Sequence, residues 1–112
     1  MLPLRKADMA DGVKSNWQIT YSNQARKSVK HIPKNIKVLL DLLAMEMEKE
    51  GPYRKDWPNY GPLRKGGSIP DNSYHCHLKK GRPTYVACWK IEDKTFKKVE
   101  IFYVGSHENA PY

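Results

Sequence analysis

Residues 73–104 read SYHCHLKKGRPTYVACWKIEDKTFKKVEIFYV, and this stretch decides the fold. It contains three runs rich in aromatic and β-branched residues, at 73–78, 84–91 and 95–104. The turns between them, at 80–81 and 92–93, are short, and short turns join strands that run in opposite directions. The stretch therefore predicts three consecutive strands of an antiparallel sheet.

One further strand is predicted near the start of the chain. Trp17, Ile19 and Tyr21 alternate with polar residues, as the side chains of a half-buried strand do. Residues 1–16 mix charged residues without periodicity, so they predict a flexible N-terminal extension. Residues 17–112 then form one domain, the default for a chain of 112 residues.

Two helices are predicted after that strand. Ser22 or Asn23 can cap the first helix, Pro33 can begin the second, and Gly51 can end it. Their apolar residues recur at three- and four-residue steps, as on the buried face of a helix: Ala25, Val29, Ile32, Ile36, Leu39, Leu40, Leu43 and Met47.

Pro and Gly recur from 52 to 70, which predicts a long connection with little regular structure. The resulting order, β-α-α-β-β-β, predicts an α+β fold. The helical hairpin packs on one face of a small antiparallel sheet, and the other face stays open.

The composition favours a soluble protein that binds a polyanion or an acidic partner. The net charge is +8, and the sequence shows neither a signal peptide nor an apolar run long enough to cross a membrane, so we expect a cytoplasmic protein. Cys76 and Cys88 lack the spacing of a zinc site and are expected to be buried thiols. Five basic residues and one acid, Asp71, give residues 62–82 a net charge of +4, and the five are Arg64, Lys65, Lys79, Lys80 and Arg82.

Strand alternation selects the candidate site. Along the second predicted strand it directs Cys76 and Leu78 toward the helices, and His75, His77 and Lys79 toward the open face. Lys80 and Arg82 lie in the next turn, and the last strand leads through Gly105 to His107 and Tyr112. We expect the end of the last strand to lie beside the second predicted strand, near the rim of the sheet.

These residue types suit RNA cleavage without a metal. The reaction needs a base for the 2′-OH, an acid for the leaving 5′-oxygen, and positive charge beside the phosphate. Histidine suits both proton transfers because its ordinary pKa is close to neutral pH. The alternatives are ordinary: an exposed or structural histidine pair, a solvated basic turn, and core packing of the aromatic residues Trp57, Tyr60 and Trp89.

The motifs Cys76-His77-Leu78 and Gly105-Ser106-His107 resemble the RelE/ParE toxin superfamily, most closely its histidine-using YafQ-like branch. The resemblance covers about residues 17–112. It implies a ribosome-dependent endoribonuclease that cuts messenger RNA (mRNA) and is silenced by a cognate antitoxin. We expect no cofactor and no metal, because the sequence shows no counterpart of the paired carboxylates of a metal nuclease.

The same resemblance assigns roles to single residues. His77 and His107 match the family's histidines, Tyr112 is similar to its closing aromatic residue, and Lys65 lies where related toxins have a basic residue or a histidine. With strand parity and charge added, the predicted catalytic residues are His77, His107 and Tyr112. The predicted RNA-binding residues are Lys65, His75, Lys79, Lys80 and Arg82.

Two departures separate this chain from the YafQ-like branch. That branch has an acidic residue in the turn where this chain reads KKGRP at 79–83, and the distance from His107 to Tyr112 is one residue longer here. Two other functions stay open: a ParE-like inhibitor without catalysis, and a basic module that only binds nucleic acid. The histidine pair favours the nuclease.

Overall fold

The protein is described by a computed structural model that covers residues 16–64 and 66–112. The predicted extension, apart from Asn16, and Lys65 lie outside the described residues. The elements, in chain order, are β1 Gln18–Tyr21, α1 Asn23–Val29, α2 Lys34–Glu50, β2 Gly61–Pro62, β3 Ser73–Lys79, β4 Tyr85–Asp93 and β5 Lys98–Ser106, followed by a 3-10 turn at His107–Asn109.

The sheet has five strands in the order β1-β5-β4-β3-β2. The three predicted strands form an antiparallel meander, as the short turns require. The meander leaves two free edges, and β2 pairs antiparallel with β3 while β1 pairs parallel with β5. The predicted α+β fold is confirmed, and the sheet differs from the predicted small antiparallel one by the added strand β2 and by the parallel pairing of β1.

Both helices pack on one face of this sheet. Ser22 caps α1 by accepting a hydrogen bond from the backbone N–H of Ala25 at 3.1 Å. α2 begins after Pro33, and its buried side is the predicted one: Ile36, Leu40, Leu43 and Met47. Neither helix of the described ranges has the length and apolar character that a membrane span needs.

α2 ends at Gly51, and two features of this position require glycine. The φ of Gly51 is +96°, a conformation that side chains disfavour, and a Cβ at this position would lie 3.0 Å from Nε1 of Trp17. Trp17 also donates its backbone N–H to the Glu48 carbonyl at 2.8 Å. The start of the described chain is thereby fixed against the end of α2.

The long connection packs through its aromatic residues. The ring of Tyr60 lies parallel to that of Tyr74 with centroids 6.0 Å apart, and Trp57 donates its indole N–H to Glu46 at 2.8 Å. Trp89 is fully buried and donates to the Pro52 carbonyl at 3.1 Å. The expectation that these aromatic residues belong to the core therefore fits their packing.

A β-bulge interrupts the pairing of β3 with β4. His77 lies opposite Val86, but Lys79 lies opposite Tyr85, where regular pairing would place Leu78. Tyr85 packs against the helix-side core, and residues paired across strands share a face. The prediction that Lys79 faces the same side as His75 and His77 is therefore wrong, because the bulge breaks the two-residue alternation.

Candidate active site

A groove of about 780 Å³ lies where the β3–β4 turn meets the end of β5. Ligand sites commonly have volumes of roughly 300–1,000 Å³, so a nucleotide-sized group fits. The lining residues come from both sides of β4: His77, Gly81, Arg82, Pro83, Thr84, Ser106, His107 and Glu108.

Strand register brings the two sides of the groove together. Val86 in β4 lies between His77 of β3 and Gly105 of β5, so the residues just after Gly105 reach the level of His77. His107 then donates its backbone N–H to the Thr84 carbonyl at 2.8 Å, which ties the 3-10 turn to the start of β4.

The rings of His77 and His107 contact each other edge to face, over the start of β4. Their centroids are 5.4 Å apart and their planes differ by 76°. His107 is exposed and His77 is half-buried. Burial lowers the pKa of His77, and the neighbouring His107 and His75 lower it further. His77 is thus held toward its neutral, proton-accepting form.

Tyr112 folds back over the same face. Its ring centroid lies 4.6 Å from that of His75 and 5.7 Å from that of His107. Burial is the main cause that raises the pKa of Tyr112 to about 12, so its phenol keeps its proton at neutral pH and can donate a hydrogen bond.

His75 lies beneath Tyr112 and is fixed from the edge strand. Its Nδ1 is 3.0 Å from the Gly61 carbonyl oxygen, and because a carbonyl only accepts, Nδ1 carries the proton. Burial is the main cause that lowers the pKa of His75. The hydrogen bond to Gly61 raises this pKa, and the charge of His107 lowers it. His75 contacts the site without lining the groove.

Tyr103 is a site residue that the sequence reasoning missed, and Gly105, which the sequence analysis named only within a motif, makes room for it. Tyr103 donates its hydroxyl to the Ser106 carbonyl at 2.7 Å, directly before His107. A Cβ at Gly105 would lie 2.7 Å from that hydroxyl oxygen, so the ring can cross the strand only over a glycine. The signal was present: residues 103 and 105 share one face of a strand, and a large residue beside a glycine there indicates a side chain that lies across the strand.

The predicted cations separate into two groups. Arg82 lines the groove, whereas Lys79 and Lys80 line a second cavity that Arg82 also borders. Lys65 lies outside the described residues. Glu108 is an exposed acid on the groove that was not predicted. Within 16–64 and 66–112, no cluster of three or more His, Cys, Asp or Glu residues could hold a metal ion.

Comparisons with known proteins match the structure and not the sequence. No family model matches the sequence, and no curated protein matches it. Among solved structures, a mutant of the E. coli toxin RelE in the free state is 16% identical, with a TM-score of 0.62 over 85% of this chain and 87% of that one.

Two further structures are similar over nearly their whole length. The archaeal RelE-RelB complex from Pyrococcus horikoshii is 15% identical, with a TM-score of 0.60 over 85% of this chain and 99% of that one. A metal-bound toxin from Helicobacter pylori is 25% identical, with a TM-score of 0.57 over 82% of this chain and 96% of that one. These likenesses show that the chain has the RelE-like fold.

Proposed function

We propose that this protein is the toxin of a toxin-antitoxin system and cleaves mRNA as a metal-independent endoribonuclease. The observation that carries the proposal is the contact between the His77 and His107 rings in a groove that Arg82 also lines. The fold supports the toxin role, because two structural neighbours are described as toxins and a third as a RelE-RelB complex.

We assign the base from the lowered pKa of His77 and the acid to the histidine ring that lies against it. His77, whose pKa is lowered, takes the proton of the RNA 2′-OH, and the resulting oxyanion attacks the adjacent phosphorus. His107 gives a proton to the departing 5′-oxygen. The products are a 2′,3′-cyclic phosphate and a 5′-OH end.

Two neighbours assist this step. Arg82 neutralises charge on the phosphate oxygens, and the protonated phenol of Tyr112 donates to the phosphate or stacks on a base. His75 supports the ring of Tyr112.

The partners belong to the same proposal. The archaeal neighbour is a RelE-RelB complex, which supports a cognate antitoxin as partner, and the resemblance to the YafQ-like branch supports mRNA on the ribosome as substrate in the cytoplasm. An acidic antitoxin segment would compete with RNA for the cations around the groove.

His77→Ala and His107→Ala test the catalytic roles. Each substitution should slow single-turnover cleavage of ribosome-bound mRNA by roughly 10² or more, because each removes one proton transfer, and RNA affinity should change little. His31→Ala is the matched control, since His31 is exposed and outside the groove.

Chemical identification of the fragment ends completes the test. Cleavage that both substitutions leave intact, or fragments with 5′-phosphate ends, would exclude this mechanism. RNA binding without cleavage in the wild-type protein would favour the binding module instead.

A further inference from the structure

A second cavity lies behind the β3–β4 turn, on the helix side. Its volume is about 290 Å³, and its lining combines the turn with the start of α2 and of β4: Pro33, Asn35, Ile36, Lys79, Lys80, Gly81, Arg82, Pro83 and Tyr85. The lining includes three cations and no acid. A concave surface with one sign of charge concentrates ions of the opposite sign.

The cations of this cavity are not neutralised within the described chain. No carboxylate of residues 16–64 and 66–112 forms an ion pair with Lys79, Lys80 or Arg82. The first turn of α2 contains no acidic residue either. Like charges held together repel one another, so a bound anion would relieve the repulsion.

The cavity borders the histidine groove. Gly81, Arg82 and Pro83 line both, so the two lie back to back across one turn. Ile36 is only 2% exposed, so the lining offers Pro33, Pro83 and Tyr85 beside its three cations. A polyanion that leaves the groove past Arg82 meets Lys79 and Lys80 next.

We propose that this second cavity binds a phosphodiester group of RNA, on the same strand that the histidine groove holds. The inference rests on the proposed function and assigns it a second contact. The bulge is what makes it possible, since it turns Lys79 away from the histidine face. Lys79 and Lys80 supply compact positive charge, and Arg82 lies between the two phosphates.

Amide NMR spectra of the full chain can report the two cavities separately. The signals of Asn35 and Tyr85 report the second cavity, and those of Ser106 and His107 report the groove. The probes are a 2′-O-methyl dinucleotide and a 2′-O-methyl hexanucleotide, which lack the 2′-OH and are not cleaved. We expect the hexanucleotide to shift both sets of signals and the dinucleotide to shift the groove set alone.

A double substitution links the shifts to the lysines. Lys79→Ala/Lys80→Ala should weaken hexanucleotide binding about 10-fold. The fall of log affinity with log salt should become less steep, its slope smaller in magnitude by about one. Dinucleotide binding should not change. Lys94→Ala/Lys98→Ala removes the same charge from exposed positions at the far end of β4 and should change neither the affinity nor the slope.

The outcomes separate this inference from the proposed function. Shifts of the groove set alone with the hexanucleotide would overturn the second cavity and leave the nuclease intact. If the dinucleotide shifts both sets of signals, the second cavity binds a phosphodiester, but not necessarily one on the strand in the groove, and the single-strand part of the proposal is overturned. A Glu-rich peptide that shifts the second set where the hexanucleotide does not would assign the cavity to a protein. No shift with either nucleotide would overturn both proposals.

Discussion

His75 touches the candidate site without lining its groove. The Gly61 carbonyl holds its Nδ1, its ring supports Tyr112, and its positive charge is one cause of the lowered pKa of His77. A residue in this position acts on the chemistry through its neighbours.

His75→Gln should raise the pKa of His77. Glutamine can still donate to the Gly61 carbonyl but carries no positive charge, so the repulsion of a protonated His77 is lost. The reaction needs neutral His77, so the acid limb of the kcat/KM profile should move to higher pH. NMR titration of the His77 ring protons measures the same pKa without activity.

His31→Gln is the control for this substitution and should leave the profile unchanged. An acid limb that stays in place or moves to lower pH would show that His75 does not influence His77 through its charge.

Single residues also show how far the sequence predicts the site. His77 and His107 could be selected because strand parity and the meander bring their rings to one rim. Tyr103 was missed, because its role depends on where its ring lies, and the sign of that in the sequence is the glycine two residues later. Lys79 was misassigned since neither Gly nor Pro marks the bulge beside it.

At the scale of elements, the end of β5 positions His107. The Tyr103 hydroxyl holds the Ser106 carbonyl, and Gly105 leaves room for the Tyr103 ring. One hydrogen bond, from the Tyr103 side chain, thus fixes the backbone just before His107.

Tyr103→Phe and Gly105→Ala should break the same contact. Each should lower the free energy of unfolding by about 1 kcal/mol, the usual value of one hydrogen bond, and reduce kcat more than it changes KM. In the double variant, Gly105→Ala should cost less than it does alone, because the hydroxyl it displaces is already absent. Denaturant unfolding and single-turnover kinetics measure both effects, and strictly additive losses would refute the shared contact.

The elements were predictable where local pattern encodes them. Runs of aromatic and β-branched residues mark β3, β4 and β5, and three- and four-residue steps mark α2. The two residues of β2, Gly61–Pro62, carry no pattern, and their pairing with β3 comes from the packing of the long connection. The parallel direction of β1 depends on its pairing with β5, far along the chain, so the residues around β1 do not predict it.

For the whole molecule, the site should make stability depend on pH. Folding lowers the pKa of both His75 and His77 below the ordinary histidine value of 6.5. As pH falls through that value, the unfolded chain takes up protons first, so the free energy of unfolding decreases. The loss is complete once pH is below the folded pKa values.

Thermal unfolding checks this sign. Tm should be nearly constant above about pH 7 and should fall as pH drops toward about 5.5, and His75→Gln should reduce the fall because one titrating group is gone. A Tm that rises over the same interval would contradict the lowered pKa values.

The parallel pairing of β1 with β5 also sets the order of events during synthesis. β1 and the helices are made early, but β1 has no partner until β5 exists, and Ser22 bonds to Phe102, 80 residues later in the chain. Contacts this distant in sequence close late and slowly, because the intervening chain must first be ordered. His107 follows β5, so the ribosome translating this protein has read nearly all of the described chain before His77 gains its partner.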